Sequence, residues 1–192
     1  MTLTAGALAI AVAVADGVRS NARETLQELH RLGIETTVML TGDNRGTAEA
    51  IGRETGVSEI RAELLPDEKV AAIQSLVQRY QRVAMVGDGI NDAPALASAS
   101  LGIAMGGAGS DAAIETADVA LLSDDLSRLP WLIRHSRQTL RVIRQNITFS
   151  LAVKAIFVAL TFLGAASLWA AIAADMGAAL LVVANSLRLL RG

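Results

Sequence analysis

The chain has 192 residues, a formal net charge of -2 and no cysteine, so it can hold one medium domain with a small appendage and excludes disulfides and thiolate metal sites. The near-neutral charge provides no polyanion-binding surface, which argues against nucleic acid as a partner. An apolar fraction of 52% with only 3% aromatic is high for a purely soluble protein, and the excess is concentrated after Asn146.

The apolar start, Leu3 to Ala15, has the length of a signal-peptide core and carries Ala-Val-Ala near its end, but no Lys or Arg precedes it. A core strand broken by Asp16-Gly17 is the better reading, and it keeps the soluble part in the cytoplasm. Val18, Ala22, Leu26, Leu29 and Leu32 then recur at a helical period, which Gly33 ends. Ile34 to Leu40 is predicted as a strand, Thr41-Gly42-Asp43-Asn44 as a turn, and Arg45 to Thr55 as a short helix closed by Gly56. Residues 58 to 64 read as a third strand, Pro66 opens a helix through about Arg79, and Val83 to Val86 is a fourth strand. Leu101 to Met105 and Val119 to Leu122 continue the alternation. Strands alternating with helices predict an α/β domain over residues 1–125, its parallel sheet covered on both faces and the turns at 41–44 and 87–92 sharing its carboxyl edge.

After Pro130 the character changes: Arg134, Arg137, Arg141 and Arg144 make a basic stalk helix over residues 126–146. Two apolar stretches follow within residues 147–192, Ile147 to Trp169 with Lys154 as its only charge and Ala170 to Leu187 with only Asp175. Each can cross a hydrocarbon core of about 30 Å at about 1.5 Å per residue, with a turn near Gly164 to Leu168 and Trp169 as an interface anchor. Arginine flanks both outer ends, which places both in the cytoplasm. The competing reading is a buried helical hairpin of a soluble protein.

Two places carry chemistry. An apolar run delivers Asp88 and Asp92 into the turn Gly87-Asp88-Gly89-Ile90-Asn91-Asp92-Ala93-Pro94, where carboxylates and close backbone suit Mg²⁺ and phosphate; the plain alternative is an acidic strand-to-helix turn. Thr41, Gly42 and Asp43 could face the same pocket or form a local Asx turn. Lys69, in the first turn of a helix, needs an anion there, either a phosphate or its neighbours Asp67 and Glu68. Within the apolar spans, a charge costs about 2.5 to 3.5 kcal/mol, and with Ala166 as the apex Lys154 and Asp175 lie roughly 18 and 13 Å deep. They could neutralise each other as a structural pair or serve a cation path, with Asp175 as an oxygen ligand and Lys154 as its internal competitor. His30 and His135 sit in amphipathic helices as surface or interfacial residues without a metal role.

The ordered set Thr41-Gly42-Asp43-Asn44, Pro66-Asp67-Glu68-Lys69 and Gly87 to Pro94 resembles the phosphorylation domain of a P-type cation-transporting ATPase, with a haloacid-dehalogenase-like fold. The hairpin is similar to the last two spans of the heavy-metal branch. Lys154 and the Ala-Asp-Met-Gly-Ala setting of Asp175 resemble its zinc/cadmium/lead class rather than the copper class. The resemblance implies that Asp88 holds Mg²⁺ with Asp92 in support, and that Asn91 and Lys69 contact the phosphoryl group with Thr41 and Gly42. It also implies that Asp43 positions the nucleotide phosphates, with ATP as substrate of the complete enzyme. An inner-membrane location, membrane lipid, a divalent heavy-metal ion and a missing N-terminal half as partner belong to the same implication. The Asp-Lys-Thr-Gly-Thr segment whose aspartate is phosphorylated is absent from this sequence, so the expectation is a C-terminal piece of a pump that forms no phosphoenzyme alone. Two alternatives stand beside it: a non-catalytic membrane-anchored Mg²⁺-binding fragment or partner subunit, and a membrane-anchored phosphatase. The second needs an aspartate pair that the first strand, ending Ala15-Asp16-Gly17-Val18, does not carry.

Overall fold

The computed structural model describes residues 8–13, 20–87, 92–106, 115–123, 125–165 and 167–191. The chain divides into two compact units, Met1–Pro130 and Trp131–Gly192.

The first unit is built on six parallel strands: β1 Leu8–Ala13, β2 Thr36–Leu40, β3 Glu59–Arg61, β4 Arg82–Gly87, β5 Leu101–Met105 and β6 Val119–Leu121. Their spatial order is β3-β2-β1-β4-β5-β6, so the chain winds outward one way, returns across the middle and winds out the other way. This ordering creates a switch point between β1 and β4, where loops leave in opposite directions and open a crevice at the carboxyl edge. Register fixes the edge: Ala13 pairs with Leu40 and Val12 with Val86. The segments after β2 and β4 therefore start about 10 Å apart, two strand spacings, on either side of β1.

Among the described residues, four helices connect the strands: α1 Ala22–Arg31, α2 Arg45–Thr55, α3 Pro66–Tyr80 and α4 Ala93–Ser98. The β2 and β4 side chains are buried almost throughout, as continuous apolar strands covered on two faces must be. Ala72, Ile73 and Leu76 of α3 pack on Ala9, Ala11, Val38, Val83 and Met85 and form the core. The predicted elements recur with altered ends. Asn21 stands at the start of α1 rather than inside it, and its Nδ2 donates to Asp125 Oδ1 at 2.8 Å. The third strand stops at Arg61 instead of residue 64 because Glu63 takes a left-handed φ of 60° and turns the chain back. Leu64 N then donates to Thr41 O at 3.1 Å and Glu63 N to Asp43 O at 2.9 Å. Gly56 ends α2 at φ 79°, in the left-handed cap that glycine favours. The break at Asp16-Gly17 lies outside the described residues.

Helix α5, Arg128–Phe162, begins at the end of the first unit and continues into the second; α6 is Leu168–Leu187, followed by a 3₁₀ turn at Arg188–Arg191. Both are long and apolar enough to cross a membrane. Their large apolar side chains remain outward, among them Leu151, Ile156, Leu180 and Leu181, and Ala178 is the buried residue of α6. A hairpin hidden inside a soluble core would bury such side chains, so that reading fails. Gly164 at φ 68° reverses the chain within the turn predicted near Gly164 to Leu168, so the first span ends at Phe162 and Trp169 belongs to the first turn of α6 rather than to the apolar stretch before it. At the opposite end of the hairpin, Asn146 Nδ2 donates to Ser186 Oγ at 2.9 Å, and Asn185 Nδ2 donates to Asn146 Oδ1 at 2.8 Å.

Candidate active site

The carboxyl edge gathers three segments. After β2, Thr41 is buried, and its Oγ1 both donates to Asp43 Oδ2 at 3.0 Å and accepts from Asp43 N at 3.1 Å. This closed local turn is built on the threonine hydroxyl rather than on an Asp or Asn side chain as in the Asx turn considered for the motif, and it fixes that hydroxyl in one orientation. Asn44 Oδ1 accepts from Thr47 N at 3.0 Å and caps α2, so the turn leads directly into a helix N-terminus.

The segment from β3 to α3 locks onto this turn. Thr41 N donates to Arg61 O at 3.0 Å, adding to the bonds that Leu64 and Glu63 make to Thr41 and Asp43. A Cβ on Gly42 would stand 3.4 Å from Leu64 O, so the two backbones run in contact. Pro66 then starts α3, and Glu68 Oε2 accepts from Leu65 N at 2.8 Å.

Glu68 is thereby committed to capping, and Lys69 looks elsewhere for a counter-charge. Its Nζ lies 2.8 Å from Asp92 Oδ1, across 23 residues of sequence, with side-chain exposures of 15% and 4%. The local pairing with Asp67 or Glu68 weighed from the sequence is thus replaced by a buried long-range pair. Asp92 sits at the start of α4, where Leu96 N donates to its carbonyl at 2.8 Å. Its carboxylate folds over Gly87, at whose position a Cβ would lie 3.0 Å from Asp92 Oδ2 and 3.2 Å from Asp92 Cβ. Glycine at 87 is therefore a steric requirement of the pair. Asp88 and Asn91 lie outside the described residues.

An ammonium offers three N–H donors, and Asp92 takes one, so Lys69 can bind an anion arriving at the crevice while remaining paired. Among the described residues no group of three acidic or histidine side chains forms a metal cage. Mg²⁺ binds through one or two carboxylates and completes its shell with water and phosphate oxygens, so a site for it requires no such cage. Of the two carboxylates assigned to it, Asp92 has one oxygen engaged by Lys69, which suits support rather than sole ligation.

The charges of the hairpin behave differently from the neutralising pair considered above: Lys154 and Asp175 are both exposed, and no ion pair joins them among the described residues. Helix geometry gives the reason. At about 100° per residue, Asp175 is roughly 20° from the face of Ser186, whereas Lys154 is rotated roughly 80° from the face of Asn146. Gly87 reads from the sequence as a turn glycine but not as the seat of the Asp92 carboxylate, and the 61–65 connection and the Asn146 cluster are participants that the sequence reading did not single out. For Asn146, an amide where the basic stalk gives way to the apolar span was the available signal.

Fold and site define a doubly wound parallel α/β domain with a lysine–carboxylate pair at its switch point, joined to a hairpin of apolar helices. The haloacid dehalogenase-like hydrolase family matches residues 3–100, and the chain belongs to that family. It is 56% identical over 180 residues to a cadmium-transporting ATPase of Staphylococcus aureus, covering 94% of this chain and 25% of the relative. It is 46% identical over 184 residues to a cadmium, zinc and cobalt-transporting ATPase of Bacillus subtilis, with 94% and 26% covered. A crystal structure of a zinc-transporting PIB-type ATPase in the E2.Pi state superposes with a TM-score of 0.84 at 50% identity, over 91% of this chain and 28% of that one. The chain thus spans about a quarter of the length of the curated relatives it matches.

Proposed function

We propose that this chain forms the C-terminal part of an ATP-driven pump that exports divalent heavy metals of the zinc/cadmium/lead class. One observation carries the reading: the likeness to a zinc-transporting ATPase extends over 91% of the chain at 50% identity, more than either unit alone could supply. The sheet domain handles phosphate and the hairpin handles the ion, in an inner membrane with the sheet domain and both hairpin ends on the cytoplasmic side. Both ends of the hairpin carry arginine, which is retained on that side.

In this reading ATP is the phosphoryl donor, and Mg²⁺, when bound by Asp88 with Asp92 in support, offsets the charge of the phosphate oxygens. Lys69 adds a fixed positive charge whose position is set by Asp92. Thr41 and Gly42 line the phosphoryl position together with Asn91, and Asp43 orients the threonine hydroxyl while facing the nucleotide phosphates. Catalysis is then positioning and charge neutralisation. The acceptor aspartate must come from residues outside these 192, which contain no Asp-Lys-Thr-Gly-Thr. In the membrane Asp175 offers oxygen to the cation, and Lys154 supplies a built-in competing positive charge.

The test uses a complete protein that carries this segment. Cadmium- or zinc-stimulated ATP hydrolysis is expected to vanish in Asp88→Ala and to fall at least a hundredfold in Lys69→Ala. Full activity in Asp88→Ala refutes the phosphoryl-transfer assignment, and metal-independent hydrolysis refutes the transport assignment.

A further inference from the structure

Asn146 of α5 uses both ends of its amide on consecutive residues of α6: Nδ2 on Ser186 Oγ at 2.9 Å and Oδ1 on Asn185 Nδ2 at 2.8 Å. The cluster is tied further on its own helix, since Ser186 Oγ donates to Val182 O at 2.9 Å and Arg188 Nη1 to Asn185 Oδ1 at 3.3 Å. Asn146, Asn185 and Ser186 are half-buried where the two helices meet, and the residues preceding the latter two on α6, Leu180 to Val183, are apolar. An alternative register of the two helices would leave them unmatched. One helical turn along α6 toward Gly164, Asn146 would meet Leu181, Val182 and Val183, which offer no side-chain hydrogen bond. Polar side chains at such contacts choose among packings that apolar ones leave nearly equivalent.

The consequence reaches the charges. From the Asn146 contact, Lys154 stands eight residues along α5 and Asp175 ten residues along α6, about 12 and 15 Å at 1.5 Å per residue. The contact therefore sets the ammonium and the carboxylate within about one helical half-turn of a common depth, although they make no ion pair with each other. We propose that Asn146, Asn185 and Ser186 form a register clasp, positioning residues that hold Lys154 and Asp175 level so that both act on one cation. This rests on the cation-path reading above. Slippage of α6 by one residue would displace Asp175 by about 1.5 Å and turn it by about 100°, enough to take a carboxylate oxygen out of a coordination shell.

The chain lacks cysteine, so two introduced ones are the only labelling sites. Nitroxides at Leu151→Cys and Leu180→Cys, both exposed and each five residues from the clasp, report the register of the full chain in phosphatidylcholine/phosphatidylglycerol nanodiscs by pulsed electron spin resonance. Cd²⁺ affinity is measured in parallel by titration calorimetry on the unlabelled chain. Asn146→Leu is expected to shift the label distance or broaden its distribution by at least 3 Å and to weaken Cd²⁺ binding about tenfold. The isosteric Asn146→Asp, which can still accept from Asn185 but loses the donor to Ser186, is expected to restore the label distance in part, and Ser186→Ala, which loses the same bond, to give a similarly intermediate shift. An unchanged distance distribution in Asn146→Leu overturns the clasp. A changed distribution with unchanged Cd²⁺ affinity overturns its positioning role. If Asp175→Asn binds Cd²⁺ as tightly as the parent, the cation-path reading falls and the positioning role with it, while the label distances still decide the register.

Discussion

Replacing Lys69 with methionine keeps the aliphatic stem but removes the ammonium 2.8 Å from Asp92 Oδ1. The carboxylate left behind is only 4% exposed and cannot recover that contact from water. Breaking a buried pair from one side typically costs about 3 to 5 kcal/mol, whereas removing both charges together often costs far less. With the lysine itself 15% exposed, the lower end is the appropriate figure, about 3 kcal/mol, or roughly two orders of magnitude in the unfolding constant. Urea unfolding of the full chain, followed by far-ultraviolet circular dichroism with Tyr80 fluorescence as a local probe at the end of α3, measures it for Lys69→Met, Asp92→Asn and the double variant. Each single change should lower stability by about 3 kcal/mol, and the double by clearly less than the sum, the coupling residing in the pair. Strict additivity, or single losses below about 1 kcal/mol, would falsify the view that this pair is a buried, mutually dependent unit.

Gly87→Ala should destabilise by about 1 to 3 kcal/mol, because the added methyl meets Asp92 at 3.0 to 3.2 Å and must push the carboxylate off Lys69; thermal unfolding reports it. Gln81→Gly should raise stability by up to about 1 kcal/mol, since residue 81 closes α3 at φ 62° using only backbone and no side-chain bond there is lost. The carboxyl of Asp125 is held below its ordinary range, chiefly by the Ser127 hydroxyl and also by the Ser127 N–H, Asn21 and Arg128. A depressed folded pKa gives stability that is present above the unfolded value, about 3.9, and is lost as pH falls through the folded one. An acid titration should therefore show Asp125 ionising at lower pH than an unfolded control, and Asp125→Asn should remove that contribution to the acid limb. A carbon-13 carboxyl titration that places it at or above the control would contradict the geometry around Ser127.

The sheet was legible because its strands are short apolar runs set off by glycine, and two parallel-sheet rules then fixed which edge holds the turns. Helix α2 was read to the residue, since Asn44 and Gly56 are strong start and stop signals. Ends governed by distant contacts were not legible. Glu63 folds back because Thr41 and Asp43 accept its neighbourhood's N–H groups, and nothing within residues 58 to 64 announces this. At the site, the motifs gave Lys69 and Asp92 separately, but their mutual pairing needed the third dimension, and the nearby acids Asp67 and Glu68 were the more obvious partners in one. In the hairpin, hydropathy found both helices and the turn near Gly164, whereas the rotation that separates Lys154 from Asp175 depends on packing.

The short connection from Arg61 to Leu65 makes three backbone bonds to the Thr41–Asp43 turn and then delivers the lysine-bearing helix. Threonine and lysine are therefore mounted on one frame, and a sideways push on α3 is felt at residue 41 without any side chain relaying it. Lengthening this connection by a single glycine should uncouple the two, while the same insertion after Gly164, beyond the end of α5, should pass almost unnoticed by the crevice. For anyone splitting, tagging or grafting this protein, residues 61 to 65 are the seam to leave intact.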